Sequence, residues 1–185
     1  MWKRRATAWV VSLVWACLGT SISTTVPWAR AEPEASALAD LRQIKKFVSV
    51  EAQTQGTAER LGISRSGLTD LMRVTLLNRV PGVALEASSG PAADATDRPQ
   101  QLGFLTCEVW TVGDQYIAAY HVDCSAGAYT RQRLPGALWN QAILGYGPKE
   151  EVPEAVRKGV LALVQQFTNT FSRAKTEVST GEANP

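Results

Sequence analysis

The feature that most constrains the fold is a pair of alternating segments joined by a short turn. Apolar and polar residues alternate over residues 102–112 and again over 115–125, as in strands with one buried face. Gly113-Asp114 stands between them, and glycine at the first central position is typical of a two-residue type II′ turn. The pattern therefore predicts a β-hairpin in which Val112 pairs with Gln115.

This register divides the hairpin into two faces. The face predicted to be buried holds the more apolar set and both cysteines: Leu105, Cys107, Val109, Ala118, Tyr120, Val122 and Cys124. The other face mixes aromatic, apolar and polar residues: Phe104, Thr106, Glu108, Trp110, Ile117, Ala119, His121 and Asp123. A slip of one residue would mix the two sets, so burial of one face fixes which side chains point inwards.

The rest of the chain supplies strands and two helices. Residues 44–53 alternate as a first strand, 83–87 are a short second strand, and 139–145 are a candidate last strand. Ser64 or Ser66 is placed to cap a helix that Pro81-Gly82 ends. Pro153 begins a longer helix, as proline does at a first helical position. Its apolar side chains recur on one face: Val156, Val160, Leu163, Val164, Phe167 and Phe171.

The predicted order of elements is β-α-β-β-β-(β)-α, with mostly sequential strands. This order is typical of an α+β two-layer sandwich, in which helices cover one face of a mostly antiparallel sheet. We expect a single domain over residues 44–175, a length that can bury a core. Composition predicts a flexible lead-in at 32–43, a flexible loop at 88–101 and a disordered tail at 176–185.

Three segments carry a resemblance to known proteins. VSVEAQ at 48–53, LGISRSGLTDLMRVTLLNRVPGVAL at 61–85 and VRKGVLALVQQFTNTF at 156–171, together with the hairpin, resemble a group of uncharacterised secreted bacterial proteins. In element order, residues 44–174 are similar to the small α/β domain that opens the periplasmic protein TolB. The resemblance implies a non-catalytic accessory or interaction domain of the cell envelope, and it implies no site residues.

The N-terminus has the three parts of a secretory signal peptide. A basic start at residues 1–5 precedes an uncharged apolar run at 6–18, and Ala29-Arg30-Ala31 is a cleavage site. We therefore predict a signal peptide over 1–31 and a periplasmic or secreted mature protein. The alternative is lipidation at Cys17, which would hold the protein on a membrane.

Removing the signal peptide changes the charge balance. The whole chain has 19 basic and 17 acidic residues. Residues 1–31 contain four basic residues (Lys3, Arg4, Arg5 and Arg30) and no acidic ones, which leaves 15 against 17, a net charge of −2. Because no dense cluster of lysine and arginine remains, we do not expect nucleic-acid binding.

The mature chain keeps two cysteines, Cys107 and Cys124. Two cysteines in an exported protein favour a disulfide worth about 3 kcal/mol. The two-residue turn, however, places Cys107 opposite Tyr120 and about 13 Å from Cys124, whereas a disulfide needs Cα atoms within about 7 Å. A bond requires a wider loop over 114–117. A disulfide and two buried free thiols therefore both remain open.

No residue pattern indicates catalysis. His121 is the single histidine, which argues against metal sites built from several histidines. His121, Asp123 and Ser125 alternate along one strand about 7 Å apart, too far for a proton relay among themselves. We therefore predict no catalytic residue, no metal and no cofactor, and expect a protein that is not an enzyme.

Two functions are consistent with these observations. The first is a protein-interaction module of the envelope, with a partner surface formed by Phe104, Trp110 and Ile117 on the outer hairpin face and Trp139 nearby. The second is a small-ligand carrier. Its pocket would lie between the sheet and the last helix, lined by Tyr120, Phe167 and Phe171.

Overall fold

The structure is a computed structural model that describes residues 26–27, 35–86, 99–132 and 134–176. The strands are β1 (Val26–Pro27), β2 (Lys46–Gly56), β3 (Ala84–Leu85), β4 (Leu102–Gly113), β5 (Ile117–Tyr129) and β6 (Pro135–Pro148). The helices are α1 (Ala35–Gln43), α2 (Arg65–Arg79) and α3 (Val152–Thr176). Short 3₁₀ turns occupy Glu59–Leu61 and Pro99–Gln101.

The strands form one sheet in the order β1-β6-β5-β4-β2-β3. The pairs β1-β6, β6-β5 and β5-β4 are antiparallel, whereas β4-β2 and β2-β3 are parallel. Helices α2 and α3 pack on the sheet, and their buried residues belong to a single apolar core. The predicted α+β class, with a mostly antiparallel sheet and helices packed on it, is confirmed.

The hairpin is present, but its predicted register is wrong. Val112 pairs with Ala119 and Gly113 with Ala118, so the connection is a wider loop over 114–117. Asp114 explains the loop, because its Oδ1 accepts the backbone N–H groups of Tyr116 (2.7 Å) and Ile117 (2.9 Å). These two hydrogen bonds stabilise the charged carboxylate and lower the pKa of Asp114.

The register error leaves the two faces unchanged. Val112 pairs four residues further along β5 than predicted, and a shift by an even number keeps every side chain on its side of the sheet. All seven residues predicted for the inner face are buried. The shift also places Cys107 directly opposite Cys124, with Cα atoms 4.0 Å apart and joined by a disulfide. The predicted separation of the two cysteines was therefore wrong.

The predicted flexible lead-in is wrong over most of its length. Residues 35–43 form α1, in which Leu41 is fully buried and Leu38 packs against the core. Lys175 near the end of α3 fixes the end of α1, since its Nζ donates to the carbonyl oxygens of Arg42 and Ile44 at 2.6 Å each. These partners are distant in sequence, which is why local composition did not reveal the helix.

Other predictions fall partly or wholly outside the described residues. Of the predicted signal peptide only β1 is described, and of the predicted loop at 88–101 only the turn Pro99–Gln101. In the predicted tail only Thr176, the last residue of α3, is described. Of the two serines predicted to cap the helix now described as α2, Ser64 is the cap, and its Oγ accepts the backbone N–H of Gly67 at 3.3 Å.

Gly159 offers a test of the packing between α3 and the sheet. A Cβ atom at this position would lie 3.8 Å from Ile143 Cδ1 and from Val122 Cγ2, which is ordinary van der Waals contact. We expect Gly159→Ala to raise the free energy of unfolding by about 1 kcal/mol, because alanine is the better helix former. Urea denaturation measures this. Gly145→Ala is the opposite case and should lose stability, because its Cβ would overlap the Tyr120 ring. A loss of stability in Gly159→Ala would contradict the close but unstrained packing.

Candidate interaction surface

The structure divides the four residues predicted to form a partner surface. Trp110 and Ile117 lie on the sheet face opposite the core, with 46% and 58% of their surfaces exposed. Phe104 and Trp139 are only 7% and 6% exposed, so the prediction that they belong to an exposed surface is wrong. The predicted surface is therefore reduced to Trp110 and Ile117.

Phe104 and Trp139 are buried for different reasons. Phe104 shares the outer face of β4 with Trp110, but it lies opposite Gly127 and packs edge-on against the Tyr129 ring, with centroids 5.8 Å apart. Trp139 points to the helix side of the sheet, where its ring centroid lies 5.4 Å from that of Phe167. Neither contact follows from the spacing of residues along a single strand.

The structure adds apolar neighbours to Trp110 and Ile117. Strand pairing aligns Trp110, His121 and Leu144 in one row across β4, β5 and β6, and Val112, Ala119 and Tyr146 in the next. We define the outer patch as the exposed apolar members of these rows and of the adjoining strand end: Trp110, Val112, Ile117, Leu144 and Tyr146. With strands about 4.8 Å apart and rows about 7 Å apart, these residues lie in one region of the outer face, in which His121 stands between Trp110 and Leu144 and Ala119 between Val112 and Tyr146.

Tyr146 was missed because the last strand is longer than predicted, whereas Leu144 lay within the predicted strand but its neighbours on the sheet were not predicted. The prediction ended it at residue 145, whereas β6 runs to Pro148. Alternation along a strand that reaches Pro148 would have placed both side chains on the same face of that strand. Sequence alone, however, does not give the pairing of β5 with β6, so their position next to Trp110 needed the structure.

One side of the outer patch borders an acidic row. Glu108 and Asp123 are directly opposite each other in the ladder between β4 and β5. Asn140 on β6 donates its Nδ2 hydrogen to Asp123 Oδ1 at 2.6 Å. Like charges placed opposite each other on a sheet are locally unfavourable. On the side of Glu108 and Asp123, the outer patch thus has a charged rim next to its apolar residues.

The arrangement around His121 does not assemble a relay. His121, Asp123 and Ser125 share the outer side of β5, and the hydrogen bond of Asp123 goes to Asn140. Across the described ranges, the structure groups no three His, Cys, Asp or Glu side chains in a way that could hold a metal ion. The absence of a catalytic site, metal and cofactor stays a prediction.

The ligand pocket predicted between the sheet and the last helix is wrong. Phe167 and Phe171 are fully buried, and their rings pack against Phe47 with centroids 5.9 and 5.6 Å away. Tyr120 is also buried and lies over Gly145, where a Cβ atom would meet its ring. The protein's own side chains fill the space that a ligand would need.

In the part of the chain that is described, no helix has the length and apolar character needed to cross a membrane. No protein-family model and no curated protein sequence matches the chain. Comparison with solved structures gives matches over most of its length.

Three such structures come from bacterial proteins. The PelC dodecamer from Paraburkholderia phytofirmans is 10% identical, with a TM-score of 0.44, covering 80% of this chain and 98% of that one. A neuraminyllactose-binding hemagglutinin homolog from Helicobacter pylori is 6% identical, with a TM-score of 0.44, covering 82% and 94%. A minor lipoprotein from Acinetobacter baumannii is 15% identical, with a TM-score of 0.35, covering 70% and 93%. The chain thus has a weak structural resemblance to these proteins, and the TolB resemblance stays a prediction.

Proposed function

We propose that this protein is a non-catalytic accessory module of the cell envelope that binds a partner protein through the outer patch. The observation that carries the proposal is the exposure of Trp110, Val112, Ile117, Leu144 and Tyr146 on one sheet face. The predicted signal peptide supports the envelope location. The filled space beneath α3 argues against the alternative of a small-ligand carrier.

The outer patch has the composition of a protein-binding surface. Tryptophan and tyrosine are the side chains that contribute most often to binding energy in interfaces, because they bury a large area with few rotatable bonds. Trp110 and Tyr146 supply one of each, and Val112, Ile117 and Leu144 are the exposed aliphatic residues of the same patch. The carboxylates of Glu108 and Asp123 supply a polar border, as is usual at the rim of an interface.

Trp110→Ala tests the proposal. A partner is first isolated from an envelope extract with the exported wild-type protein, and its affinity is then measured by calorimetry. We expect the Trp110 variant to bind that partner at least about 30-fold more weakly, the loss of a central aromatic anchor worth about 2 kcal/mol. The melting temperature should change little, because nearly half of the Trp110 surface is already exposed.

The matched control is Leu77→Ala, since Leu77 is an exposed apolar residue on α2, outside the outer patch. This variant should bind the partner as the wild type does. Equal affinities of the wild type and the Trp110 variant for the partner would contradict the assignment of the outer patch as the partner surface.

A further inference from the structure

The two sides of the sheet end in different ways. On one side, the short strand β3 pairs only with Lys46 and Phe47 of β2. Further along β2, helix α2 contacts this edge. Thr69 Oγ1 accepts the backbone N–H of Ala52 at 2.9 Å, and Arg73 Nε donates to the carbonyl oxygen of Val50 at 3.2 Å. Helix side chains thus occupy backbone groups on this edge that could otherwise pair with another strand.

The other side ends in β6, which has no comparable cover among the described residues. Of its 14 residues all but Leu138 pair with β5 along one side, whereas on the other side β1 pairs only at Ile143 and Leu144. Residues 135–148 also contain no Asp, Glu, Lys or Arg. Exposed edge strands usually carry charges or central prolines that prevent pairing with other chains. In β6 the prolines stand only at the two ends. The composition of β6 is therefore that of a strand with a neighbouring strand on both of its edges.

The strand that covers part of this edge belongs to the predicted signal peptide. Val26 pairs with Leu144 and Pro27 with Ile143, in antiparallel orientation. Cleavage after Ala31 removes both residues and leaves the edge of β6 open at this position. The sequence that contains β1 is uncharged over residues 19–28, as is the sequence of β6.

We propose that the edge of β6 is a strand-acceptor site, covered by β1 in the precursor and opened when the signal peptide is removed. In the mature protein it binds an extended, uncharged segment of the partner, antiparallel to β6, as in other complexes that add a strand to a sheet. This inference rests on the proposed function and specifies its mode of binding. Leu144 belongs to both the outer patch and the edge strand, so one partner can contact both.

The first test is the mass of the protein purified after export. We expect a chain that begins at Glu32 and therefore lacks Val26 and Pro27. A chain that begins at a lipidated Cys17 would retain β1 on the edge and would overturn the proposal.

The second test uses a synthetic peptide of residues 19–31 as the probe strand and backbone amide hydrogen exchange, measured by NMR, as the readout. At millimolar peptide we expect slower exchange at edge amides of β6 around Leu144, because strand pairing protects amide hydrogens. The control is the same peptide with Val26→Pro, which loses a backbone donor and should have no effect. Unchanged exchange with the wild-type peptide would overturn the proposal.

Three further outcomes separate this proposal from others. If light scattering finds that the mature chain is a dimer whose β6 edge is already protected, the occupant is a second copy and the partner strand is excluded. If the isolated partner depends on Trp110 but leaves exchange along β6 unchanged, strand addition fails while the proposed function stands. If the partner protects β6 equally in the wild type and in Trp110→Ala, the edge is the binding site and the outer patch is not.

Discussion

Replacing Phe167 with alanine is expected to lower the free energy of unfolding by about 3–5 kcal/mol, the usual range for deleting a buried aromatic side chain. Phe167 is fully buried on α3, and its ring lies within 6 Å of three others, those of Phe47, Trp139 and Phe171. Replacing Phe167 removes its contacts with Phe47 and Trp139 of the sheet and with Phe171 of α3. Because these neighbours lie on different elements, a shift of one element cannot fill the cavity. Urea denaturation followed by tryptophan fluorescence measures the loss.

Tyr116→Ala is the control for this prediction. Tyr116 is an aromatic residue in the hairpin loop, where most of its surface is exposed. Its replacement should change the free energy of unfolding by less than about 0.5 kcal/mol, as is usual for surface positions. A Phe167 variant as stable as the Tyr116 variant would contradict the position of α3 on the sheet.

Loss of the disulfide between Cys107 and Cys124 is expected to lower the free energy of unfolding by about 3 kcal/mol, the value for a short closed loop. The two cysteines are 17 residues apart in sequence. The crosslink restricts the unfolded chain, so each single alanine variant should lose most of this stability. The double variant should lose little more than either single one, because one substitution already removes the crosslink.

Thiol titration in denaturant, without a reducing agent, checks the bond directly. The protein purified after export should contain no reactive thiol from Cys107 or Cys124. Two free thiols, or losses in the single variants that add up in the double variant, would contradict the crosslink. Gly159→Ala serves as a further reference, since its new Cβ would contact Ile143 and Val122 and neither cysteine.

The hairpin shows which structural features its sequence pattern predicts and which it does not. Alternation along residues 102–125 correctly predicted which side chains are buried, because burial depends on the two-residue period of a strand. The same pattern did not predict the partner of each residue. That depended on whether Asp114 accepts hydrogen bonds from Tyr116 and Ile117, which gives a four-residue loop over 114–117 in place of the assumed two-residue turn.

The candidate surface depended even more on contacts between distant segments. Trp110 and Ile117 were predicted from their side of the hairpin, and both are exposed. Phe104 lies on the same side of its strand, but the ring of Tyr129 packs against it. Leu144 and Tyr146 reach the outer patch through the pairing of β6 with β5, which no local pattern specifies.

The sequence by itself determined the α+β class, the apolar stripe of α3 and the buried face of the hairpin, because each depends on the spacing of residues within one segment. Only the tertiary structure decided that α1 is ordered, that Cys107 meets Cys124 and that rings fill the predicted pocket. It also decided that β1 covers part of the β6 edge. Each of these depends on which segments meet in space, and that choice is made by the packing of the whole chain rather than by the periodicity of any one segment.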